Sequence, residues 1–79
     1  MKYVWRVKRY DWDEDNRQYK ERFSGVYGGS LKARRAAIEY ITIDKKAKGI
    51  ETNERSKNFY TVTAQDGKAH CIIYRETVH

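Results

Sequence analysis

The chain opens with Met1-Lys2-Tyr3-Val4-Trp5-Arg6-Val7-Lys8-Arg9-Tyr10-Asp11-Trp12, a stretch that places four cations and four large aromatic residues on one predicted β-strand. Successive side chains of a strand point to opposite faces of a sheet. Packing against a core needs rings on one face only, yet the rings of this stretch fall on both. The pattern therefore predicts a sheet with one face packed on a core and a second, charged and ring-bearing face available to a partner.

The two halves of this predicted strand place their rings at positions of opposite parity. Tyr3, Trp5 and Val7 occupy odd positions, which we expect to face the core. Tyr10 and Trp12 occupy even positions, on the same face as the lysines. Two interpretations are open, and in the first a β-bulge in the middle of the strand turns its second half inward and makes all four rings core. In the second, the last two rings face outward beside the cations and form a platform for base stacking and phosphate contacts.

The first predicted hairpin pairs residues 2–12 with residues 17–27. Its turn is Asp13-Glu14-Asp15-Asn16, because short polar side chains bond their own backbone and tolerate tight geometry. The aromatic residues of the second strand share one parity: Tyr19, Phe23 and Tyr27.

The second predicted hairpin pairs residues 59–64 with residues 68–78. Gln65-Asp66-Gly67 forms its turn, since Asp-Gly is a strong hairpin signal. The last strand carries apolar side chains on both faces, which favours a central strand or a sheet whose second face also meets something. Residues 51–58 are polar and are expected to form a loop.

One helix is predicted between the two hairpins. Gly28-Gly29-Ser30 ends the preceding strand, with Ser30 as the expected N-cap. The apolar residues that follow have the spacing of one buried helical stripe: Ala33, Ala36, Ala37, Tyr40 and Ile41. The helix is expected to end at Gly49 after a run of lysines, or near Asp44, because the β-branched Ile41-Thr42-Ile43 lowers helix propensity.

These elements predict an α+β fold in a single compact domain of residues 1–79. Its expected architecture is a four-stranded, mostly antiparallel sheet with one helix packed on a face, in the order β-β-α-β-β. A single cysteine, Cys71, excludes an internal disulfide and fits a reducing cytoplasm. No run of apolar residues approaches the length of a membrane span.

The positive charge of the chain is concentrated in its first half. The net charge is +6, of which residues 1–10 carry +4 and residues 17–35 carry +5, separated by an acidic turn. A concentrated positive field favours nucleic acid, an acidic protein or a membrane surface as partner. The alternative is a solvated surface that only keeps the protein soluble.

Catalysis and metal binding find little support in the sequence. His70 and Cys71 are neighbours on a strand, so their side chains point to opposite faces and form no dyad with each other. The acidic residues of 11–15 follow the first ligand spacing of an EF-hand loop, but the match fails because Arg22 stands where the bidentate glutamate belongs. We therefore expect a non-enzymatic protein with no cofactor and no metal site.

The layout of the chain resembles that of small phage-encoded anti-CRISPR proteins, several of which are β-β-α-β-β. The shared features are Met1-Lys2 before a strand, a helix that begins at Ser30-Leu31 and a closing hairpin around Asp66-Gly67. The resemblance is one of layout without a shared motif, so it assigns no residue a role. It implies a non-enzymatic inhibitor that docks on a CRISPR effector complex, although the basic surface departs from the acidic inhibitors that mimic DNA.

The expected function is binding through a basic surface built from the first hairpin and the start of the helix. The expected partner is an acidic protein or a nucleoprotein complex, such as a CRISPR effector, which a phage or mobile-element protein would inhibit or modulate. The alternative is direct DNA or RNA binding by the basic sheet surface, and either a monomer or a homodimer fits. We expect no membrane partner. The predicted contacts are the cations Arg6, Lys8, Arg9, Arg17, Lys20, Arg22, Lys32, Arg34 and Arg35, with Tyr10 and Trp12 as apolar anchors.

Overall fold

The computed structural model describes residues 2–78, and for Phe23 its backbone alone. The features attributed above to Met1 and to the side chain of Phe23 lie outside the described residues. In chain order the elements are β1 (Lys2–Asp13), β2 (Gln18–Tyr27), α1 (Ser30–Glu39), a π turn (Tyr40–Asp44), β3 (Ile50–Ser56), β4 (Phe59–Ala64) and β5 (Ala69–Val78).

The predicted four-stranded sheet is wrong, because residues 2–78 form one antiparallel sheet of five strands in the order β2-β1-β5-β4-β3. The additional strand is β3, where a loop was predicted. All its side chains from Glu51 to Ser56 are exposed, so no alternation of apolar and polar residues marks it as a strand. Backbone pairing with β4 holds it at the edge of the sheet, from Ile50 opposite Ala64 to Ser56 opposite Phe59.

The start of α1 differs from the prediction by one residue. Gly29, and not Ser30, is the N-cap, and among the described side chains none caps the helix. The Gly29 carbonyl accepts a hydrogen bond from the Ala33 N–H at 3.1 Å. The Gly29 carbonyl therefore bonds an N–H group of the first helical turn, which was the role expected of the Ser30 side chain.

The end of the helical segment is set by its β-branched residues. Regular α-helix stops at Glu39, and the π turn continues to Asp44, the earlier of the two predicted ends. The Thr42 hydroxyl donates a hydrogen bond to the Ile38 carbonyl at 2.7 Å, and such side-chain bonds compete with the regular helical pattern.

The core lies between the helical segment and one face of the sheet. Ala33 and Ala37 of α1 are fully buried, and their small side chains let the helix approach the sheet closely. Ile41 of the π turn is also fully buried. The sheet adds buried apolar residues from its three central strands: Val7, Val62, Ala64, Ala69, Cys71 and Ile73. No helix or second sheet of residues 2–78 covers the opposite face, which we call the open face.

The pairing of β1 decides where its second half points. β1 pairs with β5 without any register shift from Lys2 to Asp11, so its side chains alternate strictly. A bulge does occur, but in β2, where the three steps from Ser24 to Glu21 oppose two steps of β1. Tyr10 and Trp12 therefore lie on the open face, while Arg9 and Asp11 face the helix.

We expect Ile41→Ala to lower the free energy of unfolding by about 2–5 kcal/mol, because it removes a fully buried side chain from a packed core. Ile43→Ala is the matched control, since the same substitution two residues away removes a side chain that is 64% exposed. Its expected cost is below about 0.5 kcal/mol. Urea denaturation followed by circular dichroism measures both, and equal losses would contradict the described packing.

Candidate functional site

The structure divides the predicted basic surface between two sides of the sheet. Arg6, Lys8, Tyr10 and Trp12 lie together on the open face of β1. Arg17 lies in the turn between β1 and β2, and its positive φ of 51° is that of a tight turn. The remaining predicted contacts lie on the side of the helix: Arg9, Lys20, Arg22, Lys32, Arg34 and Arg35. The hairpin and the helix start therefore do not form one continuous surface.

Four aromatic rings meet at one end of the open face, and we call them the ring cluster: Tyr10, Trp12, Tyr19 and His70. The rings of Trp12 and Tyr19 pack edge to face with centroids 5.2 Å apart. His70 lies 6.2 Å from the Tyr10 centroid and 5.8 Å from that of Tyr19. The cluster joins three neighbouring strands, because Tyr10 pairs with His70 on β5 and Trp12 pairs with Tyr19 on β2.

The cations of the open face follow β1 away from the ring cluster. The Lys8 ammonium lies 5.9 Å from the centroid of Tyr74. The Arg6 guanidinium donates to Glu76 at 2.5 Å and to the Ser24 hydroxyl at 3.1 Å. Lys2 extends the same row at the start of the strand and is exposed.

A groove runs along β4 on the open face, and we call it the β4 groove. Its floor contains the small side chains of Thr61 and Thr63. β3 forms one wall and β5 the other. The wall and end residues include Glu51, Asn53, Arg55, Phe59, His70 and Ile72. Because His70 belongs both to this wall and to the ring cluster, the two features are continuous.

Several residues of the open face were not predicted as contacts. Tyr19, His70 and Tyr74 reach it only through the pairing of their strands with β1, and sequence spacing along one strand does not reveal that pairing. The apolar residues on both faces of the last strand were the one usable signal. Glu51 was missed because the strand that forms the outer wall of the groove was predicted to be a loop. Phe59 was expected to lie in a strand, but the groove beside it exists only because β3 pairs with β4.

Arg9 is a structural residue in this fold rather than a surface cation. It is 6% exposed, and its guanidinium donates a hydrogen bond to the Tyr27 hydroxyl at 2.9 Å. The same guanidinium lies 5.5 Å from the centroid of the Tyr40 ring. The guanidinium is therefore held within the fold and is not presented on the surface.

Asp11 ties the π turn to the sheet beside Arg9. It accepts a hydrogen bond from the Tyr40 hydroxyl at 2.7 Å and pairs with Lys45 at 2.7 Å and with Arg22 at 3.3 Å. Burial by itself raises the pKa of this carboxyl. The hydrogen bonds from Lys45 and Tyr40 and the nearby positive charges outweigh burial and leave the pKa below its ordinary value.

His70 and Cys71 lie on opposite faces of β5, as their adjacency predicts. Burial raises the pKa of the Cys71 thiol to about 12. Burial lowers the pKa of His70, whose Nδ1 lies 2.7 Å from the Thr63 hydroxyl. The thiol therefore stays protonated at neutral pH, and the imidazole is neutral and oriented by Thr63.

The acidic turn is held by its own side chains. Asp13 accepts hydrogen bonds from the Asp15 N–H at 3.1 Å and from the Asn16 amide group at 2.8 Å. Within residues 2–78, no group of three or more His, Cys, Asp or Glu residues is placed to hold a metal ion. No helix of this part of the chain is long and apolar enough to cross a membrane.

Comparison with known proteins places the chain in no family. No protein-family model, no curated protein and no solved structure matches it.

We expect Asp11→Asn to remove part of the acid sensitivity of folding. The pKa of Asp11 is lower in the folded protein than its ordinary value of 3.8, so the carboxylate stabilises the fold above that pH and the stabilisation is lost as the pH falls through the folded pKa. The variant should be less stable at neutral pH by about 1–3 kcal/mol and should lose less stability below about pH 4. Asp15→Asn in the exposed turn is the control. Thermal unfolding between neutral pH and about pH 2 measures the difference, and identical pH profiles for wild type and Asp11→Asn would contradict the role of Asp11.

Proposed function

We propose that this protein is a non-enzymatic binding module that holds single-stranded nucleic acid on the open face of its sheet, in the cytoplasm. The observation that carries the proposal is the combination on one uncovered face of a ring cluster and a row of cations. Base stacking on aromatic side chains and phosphate contacts from cations are the two interactions by which sheets hold single strands.

The ring cluster supports stacking of unpaired bases. Tyr10 and Trp12 lie at one end of the open face and are half-buried, so each keeps part of its side chain accessible. Tyr19 is 41% exposed, and its hydroxyl donates to the Gly67 carbonyl at 2.7 Å, which fixes the ring. A fixed ring loses little conformational entropy when a base stacks on it.

The row of cations supports phosphate contacts beside the rings. Same-face residues of β1 are spaced by about 6–7 Å, so Arg6 and Lys8 present adjacent positive charges. The Arg6–Glu76 pair is partly accessible, with 28% and 40% of the two side chains exposed. Ion pairs in contact with solvent contribute only about 0–1 kcal/mol, so Arg6 can exchange this one for a phosphate contact. The net charge of +6 adds a long-range attraction for a polyanion.

The geometry favours a single strand over a duplex. In a duplex the faces of the bases are stacked on one another, so the rings of Tyr10 and Trp12 would have no face to contact. Within residues 2–78, no helix or two-stranded ribbon projects from the open face to read base edges in the major groove.

Titration of a fluorescent oligothymidine of about 12 nucleotides tests the proposal by anisotropy at about 50 mM salt and above. We expect Tyr10→Ala to weaken binding by about 1–3 kcal/mol, because one stacked base is lost. We expect the double variant Lys2→Ala/Lys8→Ala to weaken binding and to reduce the slope of log affinity against log salt by about 1.4, since two phosphate contacts are lost.

The charge-matched control for this titration is Lys32→Ala/Arg35→Ala on the exposed surface of α1. It removes the same two charges from the other side of the sheet, so it should leave affinity nearly unchanged. Absence of binding at about 50 mM salt would overturn the proposal. If the two double variants weakened binding equally, the assignment of the binding surface to the open face would be wrong.

The second candidate function is docking on a protein component of a nucleoprotein machine, in the manner of an anti-CRISPR protein. The helix side favours it, because Leu31 is 78% exposed beside the exposed cations Lys32 and Arg35. An aliphatic anchor surrounded by cations complements an acidic protein surface.

Gel-shift assays of purified CRISPR effector complexes with target DNA test this second candidate. Added protein should reduce DNA binding, and Leu31→Asp should abolish the effect, because it places a negative charge where an acidic surface docks. Tyr10→Ala should keep it, since the open face is not used. Absence of inhibition for every effector tested, or loss of inhibition in Tyr10→Ala alone, would contradict docking through the helix side.

A further inference from the structure

We propose that the β4 groove is a base-recognition site that selects guanine within a single strand held on the open face. The inference rests on the proposed single-strand binding and adds a sequence preference to it. Three features carry it: a carboxylate without an ion pair, an arginine on the same wall of the groove and an aromatic ring at its end.

The shape and position of the groove suit one base of a bound strand. Thr61 and Thr63 form a low floor between side chains of β3 and β5, so the opening is about 10 Å wide, twice the distance between neighbouring strands. The His70 ring forms part of the wall and is itself a member of the ring cluster. A strand stacked on the ring cluster therefore reaches the groove within one or two nucleotides.

Glu51 gives the groove its selectivity. A carboxylate on a surface that holds a polyanion repels phosphate, and among residues 2–78 no ion pair neutralises Glu51. Its two oxygens are acceptors only, so they match two adjacent N–H donors. Guanine presents such a pair, N1–H and the N2 amino group, on one edge. Adenine instead places the N1 lone pair beside its amino group, and cytosine likewise places an acceptor beside its single amino group.

Arg55 and Phe59 complete the recognition of a purine. Arg55 lies four residues along β3 from Glu51, about 13 Å apart between Cα atoms, a span that the two long side chains and an intervening purine fill. Its guanidinium matches the O6 and N7 acceptors of guanine. Phe59 lines the same groove, and its ring provides a surface on which the base stacks.

The experiment compares oligothymidines of about 11 nucleotides in which one central base is thymine, adenine, cytosine or guanine. A single guanine forms no quadruplex and changes nothing else in the strand. We expect the guanine oligonucleotide to bind about tenfold more tightly than the other three, measured by anisotropy. Replacing guanine by hypoxanthine removes the N2 amino group and should lose most of that preference.

Glu51→Gln tests the residue that carries the inference. It should abolish the guanine preference and leave the affinity for oligothymidine equal or higher, since a negative charge is removed from the binding face. Glu39→Gln on the exposed surface of α1 is the charge-matched control and should keep the preference. A loss of preference in Glu51→Gln but not in Glu39→Gln distinguishes a lost base contact from a general change in charge.

The outcomes separate the two proposals. Equal affinity for all four oligonucleotides would overturn guanine selection and leave single-strand binding on the open face intact. A guanine preference that survives Glu51→Gln would overturn the assignment to the β4 groove. Failure of every oligonucleotide to bind would overturn the proposed function and the base site together.

Discussion

A single short helical segment can cover only one face of a sheet, and the rest of this structure depends on that constraint. α1 has 10 residues and is about 15 Å long, whereas the molecule extends over 42 Å. Ala33 and Ala37 are fully buried, and their small side chains let this short helix pack closely against one face of the central strands. The second face keeps its rings and cations within reach of solvent as a direct consequence, and the candidate site is built there.

The polar residues of β1 show how strict alternation is reconciled with a small core. Once the strand pairs with β5 without a shift, Arg9 and Asp11 must face the helix even though their positions are buried or half-buried. Each has a hydrogen-bond partner: Arg9 donates to the Tyr27 hydroxyl, and Asp11 accepts from the Tyr40 hydroxyl. A buried polar group without such partners would cost several kcal/mol, roughly the size of the whole stability of a small domain. The aromatic hydroxyls therefore have a role beyond apolar packing.

The sequence was sufficient for the features that depend on local pattern. The two hairpins, the start of the helix after Gly28-Gly29 and the Asp-Gly turn each involve residues near one another in the chain, so their spacing predicted them. Whether β1 alternates strictly or contains a bulge stayed open, because the answer depends on its pairing with β5. β3 escaped prediction because an edge strand with exposed side chains has no apolar period to detect. The meeting of Tyr19 and His70 with Tyr10 depends on register between distant strands, and the bulge in β2 that helps to set it has no marker in a single sequence. Sequence reasoning could therefore identify Tyr10, Trp12 and the cations of β1 as candidate contacts, but it could not predict the β4 groove.

The polar composition of β3 has a consequence for how chains meet one another. An exposed strand at the edge of a sheet offers unpaired backbone groups to any other strand, which is a route to uncontrolled association. Here Glu51, Glu54 and Arg55 place charges along that edge, and the register shift near Ser56 distorts it. Both features disfavour the addition of a further strand. The protein can thus keep a wide sheet face accessible to a partner while its border resists polymerisation.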